Sequence, residues 1–467
     1  MHVANERAIG GNREASGILN RRYRWVTTGT VALVFFSAFE ALAVTTVMPV
    51  VSVDLDGEAL YALAFAGTLA TGIIGMVAAG TWADRRGPVA PLYVAVAAFV
   101  SGLLVAGVSS SMEVFVAGRL LQGLGGGGVT VALYVVVARV FPADLHPKVF
   151  AAFAAAWVVP SLIGPFIAGV VAEALSWHWV FLGVVALVTI ALAMVVPSLR
   201  SIERTRNDAA PFPVQRLVLA VLAAGGALGL GLFGRLPGIG WPLAVVFGAG
   251  ALVAACRLMP RGVMRSERGL PSVLAVRGLT AAAFLGAEVY VPYLLTREYE
   301  FTPSIAGLAL TLAALSWSGA SMVQGRLGDR VSSEAFLRIG AAFILVSTAT
   351  VGLTAALHLS PVVVIVGWAL AGAGMGLVYP RTSVMVLEYS TTSDQGFNSS
   401  AMSIADSLGG ALSLAITGIV FAAAGSGVWA FAAVFALAVV LAVGASATAP
   451  RVTASGADRG QLTRDVH

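Results

Sequence analysis

The sequence predicts an all-α membrane protein with fourteen transmembrane helices. They form two six-helix bundles with a two-helix hairpin inserted between them, and both termini are cytoplasmic. Three observations carry this expectation. Of 467 residues, 58% are hydrophobic and 11% are charged, and a water-soluble chain of that length has no interior large enough to hide so much apolar surface. The apolar residues fall into fourteen stretches of about 20 residues, each enough for a helix to cross the ~30 Å hydrocarbon core. Finally, a charged string, Gly80-Thr81-Trp82-Ala83-Asp84-Arg85-Arg86-Gly87, has a counterpart in the second half, Gly325-Arg326-Leu327-Gly328-Asp329-Arg330. Two such strings in equivalent places indicate an internal repeat.

The spans run in order at 25–50, 61–80, 90–109, 112–138, 148–172 and 177–197. A polar loop, 198–213, leads to 214–234 and 238–257. A basic loop then leads to 273–296, 304–325, 336–356, 359–387, 397–423 and 427–447. Each is a helix because a segment in lipid must satisfy its own backbone hydrogen bonds. Residues 1–24 are too polar for a secretory signal peptide, so the first span is retained. This divides the chain into a disordered tail (1–24), an N-terminal bundle (25–197), a linker with the hairpin (198–272), a C-terminal bundle (273–447) and a second disordered tail (448–467). The hairpin carries almost no charge and reads as lipid-facing packing.

Arginine and lysine set the orientation, since basic residues stay on the cytoplasmic side. With the N-terminus inside, the inner segments hold Arg21, Arg22, Arg24, Arg85, Arg86, Arg139, Lys148 and Arg200. Arg257, Arg261, Arg265, Arg268, Arg326, Arg330 and Arg451 follow. The outer loops hold Arg235 and Arg297 and carry the acids Asp54, Asp56, Glu58, Glu298 and Glu300. Both charged strings then lie inside. The formal charge of +5 is scattered loop by loop, which excludes a nucleic-acid surface. One cysteine, Cys256, excludes an intramolecular disulfide. With five histidines and no metal-ligand cluster, Walker loop or Ser/His/Asp set, no catalytic or metal-binding residue is named and the chain is not read as an enzyme. Asn398-Ser399-Ser400 fits a glycosylation sequon but falls inside and is set aside.

Gly80 lets its helix approach a neighbour closely, and Asp84 is placed to cap the next helix. The string resembles the signature loop of the major facilitator superfamily, G-x-L-A-D-R-x-G-R-[KR]. Gly80, Ala83, Asp84, Arg85 and Gly87 match, Trp82 replaces the Leu, and Pro88 and Val89 replace the basic pair. Arg119-Leu120-Leu121-Gln122-Gly123-Leu124-Gly125 resembles the superfamily pattern R-x-x-Q-G-x-G. The glycines here sit mid-helix with no strand before them, so they serve helix packing and not nucleotide binding. Glu40 lies deep in the first span, where an unpaired ionised acid costs ~3 kcal/mol or more. Glu40 with Leu42, Thr45 and Pro49 resembles the first-span pattern L-D-x-T-I-V-N-V-A-L-P of the fourteen-span drug/proton antiporters, with Thr45 at the Asn position. Counted from the helix ends, Glu40 and Arg119 both fall in the outer half and are expected to meet. Glu40 then either carries a proton or substrate, or is a structural acid.

Gly164, Pro165 and Gly169 match the antiporter signature G-x-x-x-G-P-x-x-G-G in span five, where small residues and proline allow a kinked, close crossing between the repeats. Trp177-His178-Trp179-Val180-Phe181 resembles the W-R-W-I-F string that follows, and its histidine reads as a surface residue. Glu288 in span nine lies at about the depth of Glu40, with Tyr290 and Tyr293 beside it and Pro292 to bend the helix. An acid with aromatics suits a cationic substrate. Asp406 in span thirteen is a further candidate proton site. Arg381 and Glu388 belong to an inner gate.

The resemblance implies a major facilitator fold that rocks about a central cavity. It implies a proton-coupled antiporter exporting amphipathic or cationic small molecules, with no cofactor, driven by the proton gradient. Glu40, Arg119, Glu288 and Asp406 would handle protons and substrate, and Tyr290, Tyr293, Gln122 and Thr45 would line the cavity. Gly80, Asp84, Arg85 and Gly87, with Gly325, Asp329 and Arg330, would latch the inner gate. The partners are substrate, protons and the lipid bilayer, the chain acts as a monomer, and the location is the bacterial cytoplasmic membrane. The alternatives are an exporter of a lipid or specific metabolite, or a proton symporter for uptake.

Overall fold

The computed structural model describes residues 17–21, 23–142, 145–199, 214–391, 394–425 and 427–453. Among them there is no strand. The helices are α1 (Arg24–Asp54), α2 (Tyr61–Arg86), α3 (Val89–Gly107), α4 (Met112–Val140), α5 (His146–Ala174), α6 (His178–Leu199), α7 (Val214–Phe233) and α8 (Gly240–Leu258). They continue with α9 (Leu270–Glu288), α10 (Tyr290–Glu298), α11 (Pro303–Leu327), α12 (Ser333–Ala356), α13 (Pro361–Glu388), α14 (Gln395–Ala423) and α15 (Val428–Thr448). Counting α9 and α10 as one span, fourteen segments among the described residues are long and apolar enough to cross a membrane. Alternate crossings put the ends of α2 and α11 on one face, called here the signature face.

Local sequence sets several boundaries. The Ser111 hydroxyl caps α4 by accepting from the Val114 N–H, and Ser332 caps α12 by accepting from Ala335. Span nine breaks between Glu288 and Tyr290. The cause is Pro292, which has no N–H for the Glu288 carbonyl four residues earlier and crowds it. The first charged string is not a loop: α2 continues through Asp84 and Arg85 to Arg86, and Gly87 ends it with φ of 80°. Asp84 does not cap α3, whose N-cap is Pro88 with no side-chain bond. Helix α2 uses up the residues that the sequence assigned to a loop.

The segments flanking the bundles also hold more structure than the sequence suggested. The Thr27 hydroxyl donates to the Ile18 carbonyl at 2.6 Å, and Tyr23 lies 5.1 Å from Phe141. After α15, Ala449–Arg451 forms a short 3-10 turn. Val452 is fully buried, its carbonyl accepts from the Tyr389 hydroxyl, and Arg451 accepts from the Gly269 N–H. Apolar Ala449 and Val452 have a core to enter, which fixes this stretch. Residues 1–16 and 454–467, the rest of the tails, lie outside the described residues, as does most of the 198–213 loop.

Helices α1–α6 pack among themselves, chiefly α1 on α5 and α6 and α4 on α2 and α3. The second set pairs α9 with α14 and α15, and α13 with α11 and α12. The glycine run in α4 makes its double contact possible. A Cβ at Gly125 would lie 2.2 Å from the Phe99 nitrogen of α3, and one at Gly127 would lie 2.1 Å from the Gly72 carbonyl oxygen of α2. Any larger residue would push three helices apart. The two sets meet along two seams, α2 with α14 and α5 with α11. The hairpin is not simply lipid-facing: α7 packs on both α2 and α14, because its small residues leave room for close approach.

Candidate substrate and proton site

Glu40 and Arg119 are brought together. The Arg119 Nη1 donates to Glu40 Oε1 and, at 2.7 Å, to Gln122 Oε1, while its Nε reaches the Ala64 carbonyl at 3.4 Å. The two charged side chains are 4% and 6% exposed. Burying each charge alone would be prohibitive, and the pair is viable because its hydrogen bonds are filled from α1, α2 and α4. Gln122 is thus a partner of Arg119, and its Nε2 is buried without a hydrogen-bond partner in the protein. Thr45 is also buried, with its hydroxyl bonded back to Ala41 of its own helix at 3.1 Å. Neither lines an open cavity in this conformation.

Asp406 is not a free acid. Its carboxylate accepts both arms of Arg277, Nε and Nη2, at 2.7 Å each. Arg277 Nη1 also donates to the Tyr379 carbonyl at 2.8 Å and to Thr382 at 3.0 Å, and the guanidinium lies 3.3 Å from the Tyr379 ring centre. This planar fork needs an arginine. Sequence reasoning missed Arg277, although an arginine inside an apolar span was a sufficient signal.

Glu288 differs from both pairs. It is the last residue of α9, and among the described residues it has no hydrogen-bond or ion-pair partner. One helical turn before it on the same face, Phe284 stacks on Trp368 at 5.1 Å and meets Trp317 edge-on at 5.7 Å. Trp317 in turn meets Tyr379 at 5.2 Å, and Tyr379 lies within electrostatic range of Glu288. An unpaired carboxyl beside a row of rings suits either a proton or a lipophilic cation.

Tyr290 and Tyr293, expected in the cavity, instead form part of a seal at the face opposite the signature face. Both are almost fully buried. Tyr293 stacks on Tyr61 at 4.5 Å, and Tyr290 and Tyr293 both contact Phe421. The Tyr61 hydroxyl donates to the Val289 carbonyl at 2.6 Å. Arg297 joins this cluster to Glu58 in an ion pair and donates to the Tyr293 hydroxyl at 2.8 Å. On the other side, Glu173 accepts from the Ser304 N–H at 2.8 Å. Just outside the spans, burial raises the pKa of Tyr299, whose hydroxyl donates to the Leu359 carbonyl.

The span-five residues sit where α5 crosses its neighbours. Gly164 faces Phe39 of α1. A Cβ at Gly169 would fall 2.5 Å from Ser304 Cα, and the Pro165 carbonyl lies against Gly307 of α11. At the signature face, Gly80 sits against Val131 of α4, and Asp84 and Arg85 end α2 before Gly87. Gly325 lies in the last turn of α11. Gly328, with φ of 49°, ends that helix as Gly87 ends α2 and was not singled out from sequence. Arg330 closes the short turn that follows. The side chain of Asp329 lies outside the described residues. Arg381 donates to Ser333 at the start of α12.

Paired helical bundles, buried acids and a seal at one membrane face define a solute carrier of the membrane. The chain belongs to the Major Facilitator Superfamily, whose family model matches it over residues 30–287 and again over 274–461. It is 23% identical over 410 residues to a multidrug efflux pump, SdrM, of Staphylococcus aureus, covering 84% of this chain and 88% of that one. It is 26% identical over 421 residues to a probable multidrug-efflux transporter of Mycobacterium tuberculosis, covering 85% and 86%. The multidrug transporter protein MdtP of Bacillus subtilis is 24% identical over 417 residues, with 84% and 74% covered. Among solved structures, a POT family transporter in complex with a thioalcohol conjugated peptide superposes with a TM-score of 0.71 over 92% of this chain and 97% of that one. At 13% identity this shows the shared fold.

Proposed function

We propose that this carrier exports amphipathic or cationic small molecules across a bacterial cytoplasmic membrane in exchange for protons, with the signature face cytoplasmic. The observation that carries this reading is Glu288. Among the acids deep in the spans, Glu40 is matched with Arg119 and Asp406 with Arg277. Glu288 alone among these has no counter-charge among the described residues. An ionised carboxyl at that depth is costly unless it is neutralised, and a proton or a cationic substrate neutralises it equally well. The two therefore compete for one group, which is the elementary requirement of antiport. The three multidrug relatives support drug-like substrates.

In this conformation the aromatic seal closes the face opposite the signature face. Substrate binds from the signature side, the carrier reverses, and a proton arriving at Glu288 displaces the substrate. Release of that proton on the cytoplasmic side resets the cycle. Asp84 and Arg85, with Asp329 and Arg330, latch the signature face in the reversed state. Each elementary charge moved through 100 mV is worth ~2.3 kcal/mol.

The test uses proteoliposomes with an imposed pH gradient and a trapped pH dye, challenged with lipophilic cations. Wild type should show cation-dependent proton movement, and Glu288→Gln should abolish it while still binding a neutral ligand. Unaltered proton movement in Glu288→Gln would overturn the assignment of the proton to this residue.

A further inference from the structure

We infer that the inserted hairpin makes lateral access to this carrier one-sided. Helix α7 closes the seam between α2 and α14, so an amphipathic cation dissolved in the bilayer reaches the central space between α5 and α11. The inference rests on the export reading for its substrate class. Its geometry stands on two contrasting seams.

The closed seam is filled along its length. Near the signature face, the Arg216 guanidinium lies 5.9 Å from the Phe397 ring of α14. Next, Leu219, Ala220 and Ala223 of α7 share a buried cluster with Ile73 of α2 and Ala401 and Ile404 of α14. Further along, Ala224 and Ala227 pack with Ala70 and Ala411. Gly231 then lies between Leu63 and Ala415. At the far end, Arg235 crosses the hairpin loop into the seam, where a Cβ on Gly418 would meet its Nη2 at 2.4 Å. Burial lowers the pKa of this loop guanidinium. The division of side chains along α7 follows the same geometry. The alanines and Gly231 face the seam, while Val218, Val221 and Leu222 are exposed.

The other seam has no such cover. Its contacts named above, Gly169 and Glu173 with Ser304 and Pro165 with Gly307, all lie toward the sealed face. Closer to the signature face, the consecutive residues Trp157, Val158 and Val159 of α5 are all exposed. Successive helical positions are about 100° apart, so these three side chains span roughly 200° of the helix surface. Val158 lies seven residues before Pro165 and eleven before Gly169, so it shares the face of α5 that they turn to α11. Nearer the signature face on α11, Met322 and Val323 are exposed, and nothing lies within 4 Å of a Cβ placed on Gly319. The stretch is free of ionisable side chains on both helices, from Phe150 to Ile163 and from Ile305 to Met322. It admits an apolar tail and repels a hydrated ion.

The chain has one cysteine, so Cys256→Ser provides a thiol-free background. Val159→Cys at the open seam and Val221→Cys on the lipid face of α7 are each coupled to a bulky maleimide and reconstituted. Transport is compared for phosphonium cations with a short and a long alkyl tail. Modified Val159→Cys should move the long-tailed cation about tenfold more slowly, an added barrier of about 1.4 kcal/mol, and the short-tailed one at its unmodified rate. Modified Val221→Cys should move both normally. The inference is overturned by undiminished long-tail transport at position 159, by a loss shared by both cations, or by an equal loss at position 221. If the unmodified carrier moves neither cation, the export reading fails, and the seam is decided without transport. A lipid-borne maleimide should then react with Gly319→Cys and spare Ala227→Cys, and equal reactivity of the two sinks the proposal.

Discussion

The Tyr61 hydroxyl of one bundle donates to the Val289 carbonyl of the other at 2.6 Å, one residue past Glu288. The bond spans the two halves at the point where Pro292 interrupts span nine. It ties closure of this face to the backbone that positions the unpaired acid. Tyr61→Phe keeps the stacking on Tyr293 and removes only the hydrogen bond, a net loss of about 1 kcal/mol. The population with this face open should rise by about fivefold. Distance distributions between spin labels on α2 and α10 read this directly, and an unchanged distribution would remove Tyr61 from the gate.

The Glu40 and Arg119 pair is expected to act first on stability. Glu40→Gln leaves a buried arginine without its counter-charge, a loss of about 3–5 kcal/mol. Thermal unfolding in detergent should show a large drop in midpoint. Because the two residues touch, Glu40→Gln combined with Arg119→Gln should be less destabilised than the sum of the single changes. Strict additivity would mean that the contact carries no energy.

Asp406→Asn should cost less than Glu40→Gln. Arg277 keeps the Tyr379 carbonyl, Thr382 and the Tyr379 ring after the change. The Asp406 side chain is also 22% exposed, against 6% for Glu40, so solvent already screens its pair. The ranking of the two melting midpoints is the observable, and the reverse order contradicts the reading.

Gly169→Val should prevent the seal from closing. Its Cβ would meet the Ser304 backbone on both Cα and nitrogen, at 2.5 and 2.6 Å, and backbone atoms cannot rotate away. The variant should fold but hold α5 and α11 apart. A membrane-impermeant thiol reagent applied from the sealed face should label Ser304→Cys slowly on a Gly169 background and quickly beside Gly169→Val. Equal labelling rates would show that the crossing tolerates the extra volume.

The sequence by itself determined the fourteen spans, the repeat, and which residues sit too deep in lipid to be ordinary. Glu40, Arg119, Glu288 and Asp406 stand out because charge inside an apolar stretch is expensive wherever the helix is placed. Pro292 likewise marks the break in span nine, since a missing N–H is a covalent fact. Arg277 was equally legible by that rule and was overlooked. Only the tertiary structure decided how these residues are partnered. Glu40 found Arg119, Asp406 found Arg277, and Glu288 found no counter-charge among the described residues, because partnership depends on the rotation and spacing of helices far apart in sequence. The same holds for Tyr290 and Tyr293, which entered the seal when their helix met α2. It holds too for α7, whose apolar sequence fits lipid and seam alike until the small residues of its neighbours give it a groove. Hydropathy records the depth at which a residue lies, and packing decides which residue it faces there.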